Sequence, residues 1–234
     1  MSVAAALAQT DPTFIIRQAI DAHGGEDAIN KYPASTATLR GATTFGGGHM
    51  PFTGTVAQVV PGRYRLETTI DVLGLKTTVV QTVNADKVRQ TVDGAEMTLG
   101  SPMQKELRQM AMMQEMSMLA PLLDKKRFKL KSEKSIKVDG KTYLAIMAKA
   151  EGMKDVMLYF DKTNGLLVGM QRRAIDPKMV EVTEITSFEQ YEKVSGVMVP
   201  MKQTTTHDGR PYMTLTYSDY KLLEKIDDAT FAIP

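Results

Sequence analysis

The residues best suited to chemistry are few and scattered. The three histidines, His23, His49 and His207, are far apart, and no His-x-x-x-His pair, Gly-x-Ser-x-Gly elbow or phosphate-binding Gly-Lys loop accompanies them. His23 reads as a helix C-terminal charge, and His49 and His207 as exposed turn residues. The acidic pairs Glu181/Glu184 and Asp227/Asp228 read as solvated faces. There is no cysteine, which removes disulfides, thiolate metal sites, a cysteine nucleophile and a lipidated N-terminal cysteine. Gly46-Gly47-Gly48-His49 resembles a phosphate loop only in composition, because Met50-Pro51-Phe52 begins a strand and not a helix. Any enzyme site would have to be assembled from distant residues. The expectation is therefore a non-enzyme with no catalytic residue, metal or cofactor. The net charge of +2 gives no general pull toward nucleic acid.

One soft chemistry is concentrated. The chain has 17 methionines, and the segment MQKELRQMAMMQEMSMLAPLL, Met103 to Leu123, carries Met103, Met110, Met112, Met113, Met116 and Met118. Its strong helix formers predict a helix. At 100° per residue the sulfurs spread round the axis, so the helix is apolar on most sides and must be covered or be a cover. Three readings fit. Methionine fills irregular core space, lines adaptable walls for flexible lipid tails, or offers thioethers to copper(I). The candidate ligand-binding surface is Met110, Met113, Met116 and Leu119 from this segment. Met147, Met157 and Tyr159 join it from strands that are apolar on both faces. A second feature is the basic run KKRFKLKSEKSIK, with Arg127, Lys129 and Lys131 on one strand face opposite Phe128 and Leu130. It reads as lysine protection of an edge strand or as a docking patch for an acidic partner or anionic lipid surface.

The elements that position these residues follow from period and punctuation. Asp11 and Pro12 start a helix whose apolar side is Phe14, Ile16, Ala19 and Ile20, and Gly24-Gly25 ends it; Glu26 to Lys31 adds another turn. From there the period is two, as in RYRLETTIDV, where Tyr64, Leu66, Thr68, Ile70 and Val72 alternate with polar residues. Turn signals recur at Gly46-Gly47-Gly48, Pro61-Gly62, Asp93-Gly94, Asp139-Gly140, Asn164-Gly165, Ser195-Gly196 and Asp208-Gly209. They predict a meander of about 11–12 strands. The fold class is mainly β with helices (α+β): an unclosed, strongly curved antiparallel β-barrel with helices covering its concave face. Residues 11–234 form a single domain. Residues 1–10 read as a signal-peptide remnant, with Ala6-Leu7-Ala8 as a cleavage pattern before Gln9, or as a disordered Ala-rich tail.

In this order the motifs resemble the LolA/LolB-like superfamily of periplasmic lipoprotein carriers. FIIRQAIDAHGGEDAI is similar to the family's N-terminal helix and Gly-Gly break, and FTGTVAQVVPGRYRLET to its second and third strands. YFDKTNGLLVGMQ, VSGVMVPMKQTT and YKLLEKIDDATFAIP resemble its C-terminal half. The chain departs from the pattern at Val60, where the family's carrier has an arginine, and in lacking tryptophan. The resemblance implies an exported, soluble, periplasmic carrier or chaperone. Its cargo would be a lipid or a lipoprotein acyl chain, its partner a membrane-associated donor or acceptor protein. Alternatives on the same scaffold are an envelope-stress sensor similar to RseB and a small-molecule enzyme.

Overall fold

The computed structural model describes residues 11–45, 48–72 and 74–233. The expected segment 1–10 and the Gly46-Gly47 turn residues lie outside them. Helix α1 (Pro12–Ala22) begins as its sequence predicts, with the Asp11 side chain accepting from the Thr13 N–H at 3.0 Å and Pro12 in the first turn. Its buried side is Ile15, Ile16, Ala19 and Ile20. Phe14, expected on that side, is 53% exposed, because the 15/16/19/20 set already fills the stripe that meets the sheet. A short helix α2 (Glu26–Lys31) follows the Gly24-Gly25 break.

A first meander contains β1 (Ala34–Phe45), β2 (Gly48–Val59), β3 (Arg63–Val72), β4 (Leu75–Asn84), β5 (Lys87–Val92) and the two-residue β6 (Ala95–Glu96). Helix α3 (Ser101–Ser117) and a 3-10 turn at Ala120–Leu123 come next. A second meander contains β7 (Phe128–Val138), β8 (Lys141–Ala150), β9 (Val156–Asp161), β10 (Leu167–Ile175), β11 (Glu181–Val194), β12 (Val197–His207) and β13 (Arg210–Leu223). All thirteen strands belong to one antiparallel sheet. Its spatial order is β6-β5-β4-β3-β2-β1-β13-β12-β11-β10-β9-β8-β7. The two meanders join at β1 and β13, and β6 and β7 are the free edges, so the strongly curved sheet does not close. The strand count exceeds the turn-based expectation because β6 is too short to show a period.

The hairpin turns explain why the chain folds this way locally. Asp93-Gly94, Asp139-Gly140, Ser195-Gly196 and Asp208-Gly209 each have both residues at positive φ, between directly paired strand ends such as Val138↔Lys141. That is the type I′ geometry whose twist matches paired strands. Gly24, at φ 118, is required by space as well as by conformation, because a Cβ there would collide with the carbonyl oxygen of Gly196. This close approach lets the Met198 N–H donate to the His23 carbonyl at 2.9 Å, tying the end of α1 to the β11–β12 hairpin.

The core lies on the concave face. In the second meander Ile146, Ala148, Val156, Leu158, Phe160, Leu167 and Met170 pack against α1 and against Met113, Met116, Leu119 and Leu122. A smaller cluster joins Tyr64 and Val83 of the first meander to Leu107 and Ala111 on another side of α3. The convex face has its own local cover, where Phe231 packs on Ala34 and Val59.

Candidate functional site

Helix α3 runs in sequence from one free edge of the sheet to the other and packs on the concave side of both meanders. The methionine-segment residues Met113, Met116 and Leu119 are buried in the main core, with Met112 packed against it, while Met110 is half-buried in the smaller cluster. The thioethers therefore serve two walls and do not converge on one point, which leaves copper no shared coordination centre for Met110 and Met113. Among the described residues no group of three or more His, Asp or Glu is arranged to hold a metal ion.

Three predicted wall residues are elsewhere. Met147, Met157 and Tyr159 alternate with Ile146, Ala148, Val156, Leu158 and Phe160, so they lie on the opposite, convex face. They are half-buried there, and the Tyr159 hydroxyl donates to Gln171 Oε1 at 2.9 Å. Apolar alternation on both faces does not say which one meets the helix, and among the described residues none of the hydrophobic clusters includes Met147, Met157 or Tyr159.

What fastens α3 is polar, and periodicity alone gave no sign of it. Glu106, Gln109 and Glu115 are all buried. Glu106 pairs with the buried Arg172 of β10 at 2.5 Å, and its carboxylate accepts from the Ile175 N–H at 3.3 Å. Gln109 accepts from the Lys154 N–H at 2.9 Å and donates to the Lys154 carbonyl at 3.1 Å, a two-point clasp. Glu115 accepts from Arg127 Nη1, while its Oε2 is buried with no partner among the described residues. Arg127 is thus half-committed to α3 and is not a free docking cation; this pairing raises its pKa, chiefly through the hydrogen bond to Glu115. Lys129 is exposed, and the exposed Lys131 pairs with Glu133, both on the edge strand β7.

Expectations about Glu184, His23 and His207 are also corrected; His207 is a half-buried residue at the end of β12 and not an exposed turn residue. Glu184 is not a solvated face: it lies between Arg172 (2.8 Å) and His207 (3.1 Å), and His207 stacks on Tyr212 with ring centroids 3.7 Å apart. Burial pushes the Glu184 carboxyl up, but the His207 hydrogen bond and the Arg172 guanidinium outweigh it and hold the carboxyl below its usual range. His23 is not a helix C-terminal charge. It is buried, its Nδ1 is 2.7 Å from the Ala19 carbonyl oxygen, and burial lowers its pKa, which favours the neutral ring.

At the C-terminal end of α3 the polypeptide makes a sharp turn. Leu119 has φ 64 and ψ −52, and the Ala120 N–H donates to the Met118 carbonyl at 2.7 Å. This is a γ-turn with positive central φ, a strained conformation for a bulky side chain. The buried Leu119 and its neighbour Met118 border a cavity of about 70 Å³ on the concave face. Its walls come from the residue that caps the end of α1 (His23), α2 (Ile29), β2 (Val56, Gln58), and β11 to β13 (Phe188, Gln203, Tyr217). Of the seven residues proposed from sequence to bind ligand, Leu119 alone lines it. A second, more open recess of about 350 Å³ lies between α1 and the β9–β10 turn, beside Asp21 and Asp161. Among the described residues no helix is long and apolar enough to cross a membrane.

Comparison with known proteins adds the fold. No family model and no curated protein matches the sequence. Among solved structures, a DUF1329 family protein from Desulfovibrio piger superposes with a TM-score of 0.62 at 14% identity, covering 95% of this chain and 98% of that one. The LolA superfamily protein NE2245 from Nitrosomonas europaea gives 0.62 at 10% identity, covering 95% and 97%. A candidate outer-membrane lipoprotein-sorting protein domain from Vibrio parahaemolyticus gives 0.54 at 11% identity, covering 93% and 94%. With the open thirteen-stranded sheet and its helix-covered concave face, these likenesses show that the chain has a LolA-like fold.

Proposed function

We propose that the protein is an exported, periplasmic, non-enzymatic carrier that shelters a lipid or lipoprotein acyl chain between α3 and the concave sheet. One observation carries this reading. Helix α3 covers the concave face with apolar contacts on two sides, is held there by a small set of polar ties, and ends in a strained turn at the cavity. The likeness to lipoprotein-sorting and LolA superfamily structures supports it. A volume of about 70 Å³ is well below the roughly 300–1,000 Å³ of ordinary small-molecule sites, so loading requires α3 to move away from the first meander. Cargo then takes the place of the helix on the apolar wall. A sixteen-carbon chain, at about 0.8 kcal/mol per CH2, brings roughly 12 kcal/mol gross before ordering costs. Release needs a membrane-associated partner with a better site, because burial alone favours retention.

The test uses the absence of native cysteine. Arg108 of α3 donates to the Asp86 carbonyl at the β4–β5 turn, so Arg108→Cys with Asp86→Cys, bridged by a short bismaleimide, ties the helix to the first meander. Uptake of a fluorescent lipid should fall sharply in the bridged protein and persist in the unbridged double variant. Equal uptake by both removes the moving-helix reading. Native mass spectrometry with lipid extraction of the purified protein then identifies the cargo.

A further inference from the structure

The cavity beside Leu119 has an unusual electrostatic character for a site that would take amphiphiles. None of its lining residues is Asp, Glu, Lys or Arg. Its one titratable base, His23, is disposed toward the neutral form by burial. A carboxylate or phosphate entering it would leave water and meet no cation. Yet the wall is not simply apolar. Gln203 is 8% exposed and shares the concave side of β12 with Val199 and Val197, and no protein group among the described residues hydrogen-bonds its amide. Tyr217 of β13 likewise brings a hydroxyl without a protein partner among the described residues to the same wall. Gln58 donates from Nε2 only to the Met118 sulfur, at 3.7 Å, a weak acceptor. Burial raises the pKa of Tyr217 and Tyr220, so these hydroxyls remain donors. By contrast, the Tyr191 hydroxyl is already spent on the Leu167 carbonyl and Tyr220 on Ser35 at 3.4 Å, so they hold the wall together.

An amide that faces the cavity with no protein partner for its donors or its acceptor is open to a ligand group that is both polar and uncharged. Resting on the carrier reading, we infer that this cavity selects long-chain amphiphiles whose polar group is uncharged, such as an acyl ester, amide or alcohol. It rejects free fatty acids and anionic phospholipids, and Gln203 and Tyr217 read the neutral group. The apolar surface supplies affinity; the uncharged polar wall supplies the choice.

The experiment is competition against the neutral probe N-phenyl-1-naphthylamine, with monopalmitoylglycerol and palmitate as competitors at pH 8, each below its aggregation limit. The glyceride should displace the probe at a concentration about tenfold or more lower than palmitate, because only palmitate must bury an unpaired charge. Gln203→Leu should weaken the glyceride several-fold relative to the probe. Tyr217→Phe should do the same to a smaller degree. Gln203→Lys, which places a cation in the wall, should shift the preference toward palmitate. Palmitate binding as tightly as the glyceride to the unaltered protein overturns this inference and leaves the carrier reading standing. So does a Gln203→Leu protein that folds and keeps the full preference. Failure of the probe and of both lipids to bind removes the carrier reading itself.

Discussion

The two halves of the sheet are covered unequally. In the second meander the concave side of β9 and β10 is sealed: Val156, Leu158, Phe160, Leu167 and Met170 are all within 2% of complete burial, under α1 and one side of α3. In the first meander the concave residues Leu66, Ile70, Val79 and Gln81 are half-buried, and only Tyr64 and Val83 of β3 and β4 are sealed there, by Leu107 and Ala111. Gln81 Nε2 donates to Gln90 Oε1 on that face at 2.8 Å, a pairing a dry core does not need. The second meander with α1 is therefore the tightly packed scaffold, and the first meander meets α3 along the looser seam. Local opening follows the region with fewest buried apolar contacts.

The sharpest way to break this contrast is to place the same charge in both halves. Leu158→Asp should cost more than about 4 kcal/mol in denaturant unfolding, or prevent folding, because the site is fully buried. Val79→Asp, on the looser wall, should cost only about 1–2 kcal/mol. Equal losses would mean that the halves are equally packed.

The next largest effect concerns the buried cluster that ties α3 to the scaffold. Arg172→Met leaves Glu106 and Glu184 without their shared cation and should cost about 3–5 kcal/mol. Adding Glu106→Met should recover part of the loss, since Glu184 keeps His207. Hydrogen exchange should show α3 losing protection before α1 in the single variant. Arg127→Gln should cost less, about 1–3 kcal/mol, by leaving the Glu115 carboxylate buried alone.

Acid should weaken the scaffold in two steps. His23 has a folded-state pKa below the ordinary 6.5, so the unfolded chain binds the proton first. Stability is full above pH 6.5 and falls as pH drops from there toward the lowered folded value. Glu184 has a carboxyl held below the ordinary 4.5, so its contribution is present above that value and is lost as pH falls through the folded pKa. Urea midpoints at about pH 7.5 and about pH 5.5 should differ in the unaltered protein. The difference should shrink in His23→Phe.

The smallest effect belongs to the β7 lysines. Lys129→Gln with Lys131→Gln should change stability by no more than about 0.5 kcal/mol, since both are exposed. The pair should weaken binding to anionic vesicles at low salt if the edge strand docks there. Binding unchanged across ionic strength leaves these lysines as edge protection alone.

The legible parts of the molecule are those governed by neighbours in sequence. Asp11-Pro12 starts α1 and Gly24-Gly25 ends it, because capping and positive φ are local requirements. The Asp-Gly and Ser-Gly pairs set the two-residue hairpins for the same reason, and a string of such hairpins leads to an antiparallel meander. The methionine helix and its burial are legible too, from helix propensity and the lack of a clean polar side. The sequence alone could not say which face of β8 and β9 meets the helix, because Met147, Met157 and Tyr159 are as apolar as the residues they alternate with. Nor could it pair Glu106 with Arg172, Glu115 with Arg127 or Gln109 with the Lys154 backbone, since those partners are 12 to 66 residues apart and look like ordinary surface polar residues. Gln203 and Tyr217 belong to the same class. Their strands become neighbours of α1 and α3 only when the sheet curls, and that curvature, a property of thirteen paired strands together, turns two unremarkable polar residues into the wall of a cavity.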